Sequence, residues 1–98
     1  MLIRINKVIQ HITQNYGDKI TTVELAKMCY LSEAHFCRFF KKYIGKSATE
    51  YINEYRVEKA AVLLSSTSES ISYIASAVGI DDANYFSRIF QRLARIIR

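Results

Sequence analysis

The chain has 98 residues, half of them apolar and 12% aromatic, and a formal net charge of +5. That composition belongs to a folded chain with one modest core and excludes a disordered tail. No apolar run approaches the roughly 18 residues of a membrane span. The Met1-Leu2-Ile3-Arg4 start lacks a secretion-signal layout, and two cysteines are too few for a disulfide framework, so a cytoplasmic protein with reduced thiols is expected.

Proline is absent and there are only three glycines. Together with apolar residues recurring every three and four positions, this predicts an all-α chain. The first helix is expected from about Ile3 to Tyr16, burying Ile5, Ile9, Ile12 and Tyr16 and stopping at Gly17. Thr21 and Glu24 have capping-box spacing and open a short second helix that ends near Cys29. Ser32 caps a third helix that carries Phe36, Phe39, Phe40 and Tyr43 and stops at Gly45. A second capping box, Ser47 to Glu50, opens a longer helix through Tyr51, Ile52, Tyr55, Ala60, Leu63 and Leu64. Ser70 closes a Ser/Thr-rich loop and caps a fifth helix, Ile71 to about Val78, ended by Gly79. Asp82 then caps a sixth that buries Phe86, Phe90, Leu93 and Ile97.

The second and third helices repeat as the fifth and sixth. Leu25-Ala26 corresponds to Ile74-Ala75, Leu31 to Ile80, Ser32 to Asp82, Phe36 to Phe86, Arg38 to Arg88, Phe40 to Phe90 and Lys42 to Arg92, with Asp81 as one extra residue at the turn. Each copy is a short helix with a small residue (Ala26, Ala75), a tight turn, and a longer helix with an aromatic buried face. This is the layout of a helix-turn-helix, in which alanine lets the two helices approach closely. Gly79 supplies the left-handed residue that such a turn prefers, whereas the first copy has Tyr30 there.

On these residues the segment 20–92 resembles the DNA-binding domain of the AraC/XylS family of bacterial regulators. The first half matches at Leu25-Ala26, Ser32, Phe36, Phe40-Lys41-Lys42 and Gly45; the middle helix at Tyr51-Ile52, Arg56, Ala60 and Leu63-Leu64; the second half at Ile71, Ile74-Ala75, Gly79-Ile80, Tyr85-Phe86-Ser87-Arg88 and Phe90. The reading is one DNA-binding module over 1–98, a homeodomain-like bundle. It has a first helix-turn-helix subdomain (1–46), a linker helix (47–65) and a second subdomain (70–98). The family usually continues with a Gly-x-Thr-Pro segment and a closing helix, but here Phe90-Gln91-Arg92-Leu93-Ala94-Arg95 runs straight on, as in a truncated or divergent C-terminus. The family's effector domain is likewise not matched, so no small-molecule effector site is expected in this chain.

Charge tests the reading independently. Residues 32–46 carry net +3 and residues 83–98 net +4, which leaves −2 for the rest. The cationic segments thus coincide with the two recognition helices, as binding to DNA phosphates requires. Recognition helices read bases with exposed residues of their first turns and hold phosphates further along. By position, base contacts fall to Ala34, His35, Cys37 and Arg38 in the first unit and to Ala83, Asn84, Ser87 and Arg88 in the second. The resemblance implies the same roles for positions 34, 37, 38, 84, 87 and 88. Arg38 and Arg88 suit the O6 and N7 acceptors of guanine, Asn84 suits adenine, and Ala34 a thymine methyl. Lys41, Lys42, Gln91 and Arg92 are the phosphate holders, with Lys46 and Arg95 as further candidates. A rigid middle helix would let a monomer place both readers in successive major grooves of double-stranded DNA, about 34 Å apart, bending the DNA where the spacing falls short.

Competing readings fare less well. The phenylalanine stripes have helical spacing and belong to packing. Cys29, His35 and Cys37 match no common zinc spacing and lack a fourth ligand, so neither metal nor cofactor is expected. No phosphate loop, carboxylate pair or nucleophile-base constellation suggests an enzyme. The alternative function is a helical protein-interaction module that applies the same basic face to an acidic protein partner. Arg38 and Arg88 beside short polar neighbours suit base edges better. The resemblance further implies a bacterial protein that meets the nucleoid in the cytoplasm and activates transcription through RNA polymerase.

Overall fold

In the computed structural model the described residues are 2–80, 82, 84–88 and 91. They form α1 (Leu2–Asn15), α2 (Thr22–Met28), α3 (Glu33–Ile44), α4 (Ala48–Ser66) and α5 (Ile71–Ala77). A further helical segment, α6, covers 84–88. The chain is all-α, as expected. The expectations for Asp81, Ala83, Phe90, Arg92, Leu93, Arg95 and Ile97 lie outside the described residues.

The helix starts follow from their caps. Ser32, Ser47 and Ser70 each accept, through the side-chain oxygen, the backbone N–H three residues on. Asp82 Oδ1 takes the N–H groups of Asn84 and Tyr85 at 2.9 and 3.1 Å. The Ser47–Glu50 box is complete in both directions. The Ser47 N–H and hydroxyl hold the Glu50 carboxyl below the usual carboxylate range. The cap's ionic part is therefore present above that range and is lost as pH falls through the depressed value. The Thr21–Glu24 pair is only half a box: Thr21 accepts from the Glu24 N–H, while the Glu24 carboxylate turns to His11, Nε2 to Oε1 3.2 Å. Glu24 is thus spent on tying α2 to α1, and Thr22 ties α2 to α3 by donating to Glu33 at 2.6 Å.

Burial divides into two clusters. The first joins Ile5, Val8 and Ile12 of α1, Leu25 and Ala26 of α2, Cys29, Phe36, Phe39 and Phe40 of α3, and Ala48 and Ile52 of α4. The second joins Val57 and Ala60 of α4 to Ile74 and Ala75 of α5, Val78, Ile80 and Phe86. Tyr43, on the same helix as the buried phenylalanines, is 47% exposed and lies against Phe39 with Lys42 near its ring. Because α4 serves both clusters, its apolar residues do not form one stripe. At about 100° per residue, Ala48/Ile52 and Val57/Ala60 lie on faces roughly 130° apart. The molecule is correspondingly long, 42 × 25 × 21 Å.

The two units also touch directly. Arg56 of α4 donates through Nε to the Tyr16 carbonyl (2.8 Å) and through Nη2 to the Asp18 carbonyl (2.9 Å), both in the corner between α1 and α2. Gly79, in the turn after α5, packs against that assembly. A Cβ there would meet the Tyr16 oxygen at 2.6 Å and Arg56 Nε at 3.1 Å. Gly17 faces the Ala77 carbonyl in the same way, at 3.1 Å from a Cβ. Tyr16 itself packs on the second cluster and against Tyr55, with ring centroids 5.3 Å apart.

Gly45 and Gly79 share a left-handed backbone, φ 90° and 91°, but Gly45 has open space around it. Gly45→Ala is expected to cost only the left-handed penalty, about 1 kcal/mol. Gly79→Ala should cost clearly more because the Tyr16 carbonyl must move. Urea unfolding of the two variants measures the difference, and equal losses would contradict the close approach at Gly79.

Candidate nucleic-acid interface

Both turns are built alike at the level of backbone bonds. The Leu31 N–H donates to the Ala26 carbonyl (3.1 Å) and the Ile80 N–H to the Ala75 carbonyl (2.8 Å). Tyr30 donates to Lys27 (3.1 Å) as Gly79 does to Ser76 (3.1 Å). Tyr30 reaches the left-handed region, φ 59°, that Gly79 adopts freely. Its side chain is 87% exposed, with the Arg4 guanidinium 5.9 Å from the ring centroid. Arg4 Nη1 also donates to the neighbouring Cys29 carbonyl at 3.3 Å, so α1 braces the strained turn. The sequence departure at Tyr30 therefore changes the residue and keeps the turn.

The turns and caps orient α3 and α6 equivalently. In α3 the residues Phe36, Phe39 and Phe40 face the core, which leaves Ala34, His35, Cys37, Arg38, Lys41 and Lys42 exposed. Positions 34, 37, 38 and 41 follow the three-four spacing of a single face. In α6 Phe86 is buried, Asn84 and Arg88 are exposed, Ser87 is half-buried, and Gln91 is exposed beyond. Counted from the caps Ser32 and Asp82, Asn84, Ser87, Arg88 and Gln91 occupy the places of Ala34, Cys37, Arg38 and Lys41. Of the residues expected at the interface, Ala83, Arg92 and Arg95 lie outside the described residues.

Lys46 stands apart from these rows. It is half-buried beyond the end of α3, and its ammonium is paired with Glu54 of α4. That bond, with Glu50 and Glu58 adding to the field, holds the Lys46 ammonium above its ordinary pKa. The two thiols also separate. Cys29 is buried in the first cluster, where desolvation pushes its thiol up against the opposing pull of Arg4, while Cys37 is exposed on α3. Among the described residues no group of three or more His, Cys, Asp or Glu is placed to hold a metal ion. Nor is any described helix long and apolar enough to cross a membrane.

Sequence reasoning missed two contacts that position these helices. One is the Arg56 bridge. The other is a hydrogen bond from Asn53 Nδ2 of α4 to the Tyr85 hydroxyl of α6, 2.9 Å. Neither has a local sequence signal, since the partners lie 40 and 32 residues apart.

A helix-turn-helix domain family matches residues 25–96, which includes both turns and both exposed rows. The chain belongs to the AraC/XylS-type helix-turn-helix family. The family's defining unit is a DNA-binding domain of transcription regulators. The chain is 36% identical over 88 residues to a bifunctional transcriptional activator/DNA repair enzyme of Bacillus subtilis, AdaA, covering 90% of this chain and 42% of that protein. It superposes with a TM-score of 0.84 and 31% identity on the C-terminal domain of a two-component response regulator from Fusobacterium nucleatum, covering 92% of this chain and 88% of that domain. A transcriptional regulator from Chromobacterium violaceum, of the AraC-type DNA-binding class, gives a TM-score of 0.86 at 26% identity, covering 96% of this chain and 84% of the other. The chain spans less than half the length of the curated relatives it is compared with.

The separation of the thiols is directly measurable. In the native protein one thiol is expected to react promptly with an aromatic disulfide reagent such as DTNB, and the second only after unfolding. Equal prompt reaction of both would contradict the burial of Cys29.

Proposed function

We propose that this chain reads a specific double-stranded DNA sequence with two recognition helices, α3 and α6, as the DNA-binding part of a bacterial transcription regulator. The observation that carries this is the equivalence of the two exposed rows. Ala34, Cys37, Arg38 and Lys41 over one turn match Asn84, Ser87, Arg88 and Gln91 over the other. Arg38 and Arg88 each occupy the second turn of a capped helix with short neighbours, which lets a guanidinium fork reach guanine O6 and N7. The bases beside them fall to Ala34, His35 and Cys37 in one half and to Ala83, Asn84 and Ser87 in the other. Lys41, Lys42, Gln91 and Arg92 hold phosphates on the flanks, with Arg95 beyond them.

In this reading the chain divides into a first reader (1–46), a linker helix (47–65) and a second reader (70–98). A single copy covers an asymmetric site. The 19 residues of α4 extend about 28 Å, less than the roughly 34 Å between successive major grooves. The DNA therefore bends toward the protein to meet both readers. The name of the Bacillus subtilis relative favours activation, and contact with RNA polymerase is the corresponding partner.

Fluorescence anisotropy tests this with a duplex recovered by selection from a random library and a scrambled control of equal composition. Binding to the selected duplex should weaken with salt at a log–log slope of about −0.9 per phosphate neutralised. Arg38→Ala and Arg88→Ala should each lose about 1–3 kcal/mol on that duplex and little on the control. Equal affinity for both duplexes, unchanged by either substitution, would leave only a basic surface suited to an acidic protein.

A further inference from the structure

Arg56 lies on α4 between the two faces that serve the two clusters, and its guanidinium leaves α4 altogether. It closes on two backbone carbonyls of the α1–α2 corner, Tyr16 and Asp18, which belong to the first unit. The turn of the second unit, at Gly79, packs on the same carbonyl and the same guanidinium, so closely that no Cβ fits between them. Gly17 against the Ala77 carbonyl repeats the contact one step away. Asn53, about one turn before Arg56 on α4, holds the Tyr85 hydroxyl and with it the start of α6.

From this we infer that Arg56, wedged between the first unit's corner and Gly79 of the second and assisted by Asn53, is a positioning residue that fixes the angle between the two readers before DNA is met. It thereby makes the protein select the spacing of its two half-sites as well as their sequences. A helix alone would set the distance along its axis but would leave the second unit free to rock on the smaller cluster, Val57, Ala60, Ile74, Ala75, Val78, Ile80 and Phe86. The guanidinium removes that freedom because its planar fork holds two carbonyls at once, which a lysine cannot reproduce. One inserted base pair turns the second half-site by roughly 34–36° about the DNA axis. A rigid pair of readers cannot follow that rotation and must forfeit one set of base contacts. Neither Arg56 nor Asn53 belongs to the exposed rows, so the inference concerns geometry and not an additional contact with bases. It rests on the two-reader function proposed above.

The test uses the 98-residue chain and two readouts. In the first, nitroxide labels on Cys37 and on a thiol introduced by Ser76→Cys report the distance between the units in the absence of DNA, with the buried Cys29 left unlabelled. The labelled protein should show one narrow distance distribution; Arg56→Met should broaden it, and Arg56→Lys should recover it only in part. In the second, each protein selects from a random duplex library of about three helical turns. Wild type should return two half-sites at one spacing and lose about tenfold in affinity when one base pair is inserted between them. Arg56→Met should return the same half-sites at several spacings and lose most of that discrimination. Arg56→Lys carries the test if the methionine variant does not fold. Retention of the single wild-type spacing by a folded Arg56 variant would overturn the inference. If wild type enriched no sequence, the DNA reading would fail, and the distance distributions alone would decide whether Arg56 couples the units: broadening upholds the coupling, and an unchanged distribution overturns it.

Discussion

The arrangement depends on one side chain closing a gap that the backbone leaves open. The corner after α1 exposes the carbonyls of Tyr16 and Asp18 in a region where two helical units meet, and Arg56 takes both of them at ordinary hydrogen-bond distances. Neither carbonyl has a helical partner of its own at the end of α1, and a guanidinium supplies several donors in a fixed plane. Around it the chain has made room. Gly79 brings backbone against backbone where a Cβ would force the Tyr16 carbonyl to move, and Gly17 makes a tight approach to the Ala77 carbonyl beside it. The two clusters are thus joined in one elongated body.

That body presents two equivalent surfaces. The first reader is held by a larger cluster and by ties among α1, α2 and α3, including His11 to Glu24 and Thr22 to Glu33. The second has a smaller cluster, a seven-residue α5 and the Asn53–Tyr85 bond to α4. Arg38, Lys41 and Lys42 stand on α3, while Arg88 follows Asn84 on α6. In the proposed function both units supply electrostatic attraction, and the second contributes a different base preference through Asn84 in place of Ala34.

Much of this was legible from sequence because it is local. Ser32, Ser47, Ser70 and Asp82 are caps at the expected positions, and a small polar residue before an apolar stripe is a short-range signal. The repeat was legible because the same turn requires the same small and buried residues twice. Less legible was everything set by distant partners. Glu24 has box spacing with Thr21 but is drawn to His11, and Lys46 sits in a basic segment but is held by Glu54. Val8 and Val57 are buried without having stood out in the pattern, the latter because α4 turns different faces to its two clusters. Arg56 matched the family text, but a guanidinium bound to backbone carbonyls 38 and 40 residues away leaves no periodicity to read.

The central claim is that one copy of the chain lays two equivalent helices on one face of the DNA. Hydroxyl-radical footprinting of a selected duplex, with the stoichiometry of the complex measured by light scattering, tests it most directly. The account predicts two protected patches on the same side of the helix, about 10–10.5 base pairs apart, in a complex of one protein per duplex. A single protected patch, or two patches that appear only when two copies bind, would contradict it.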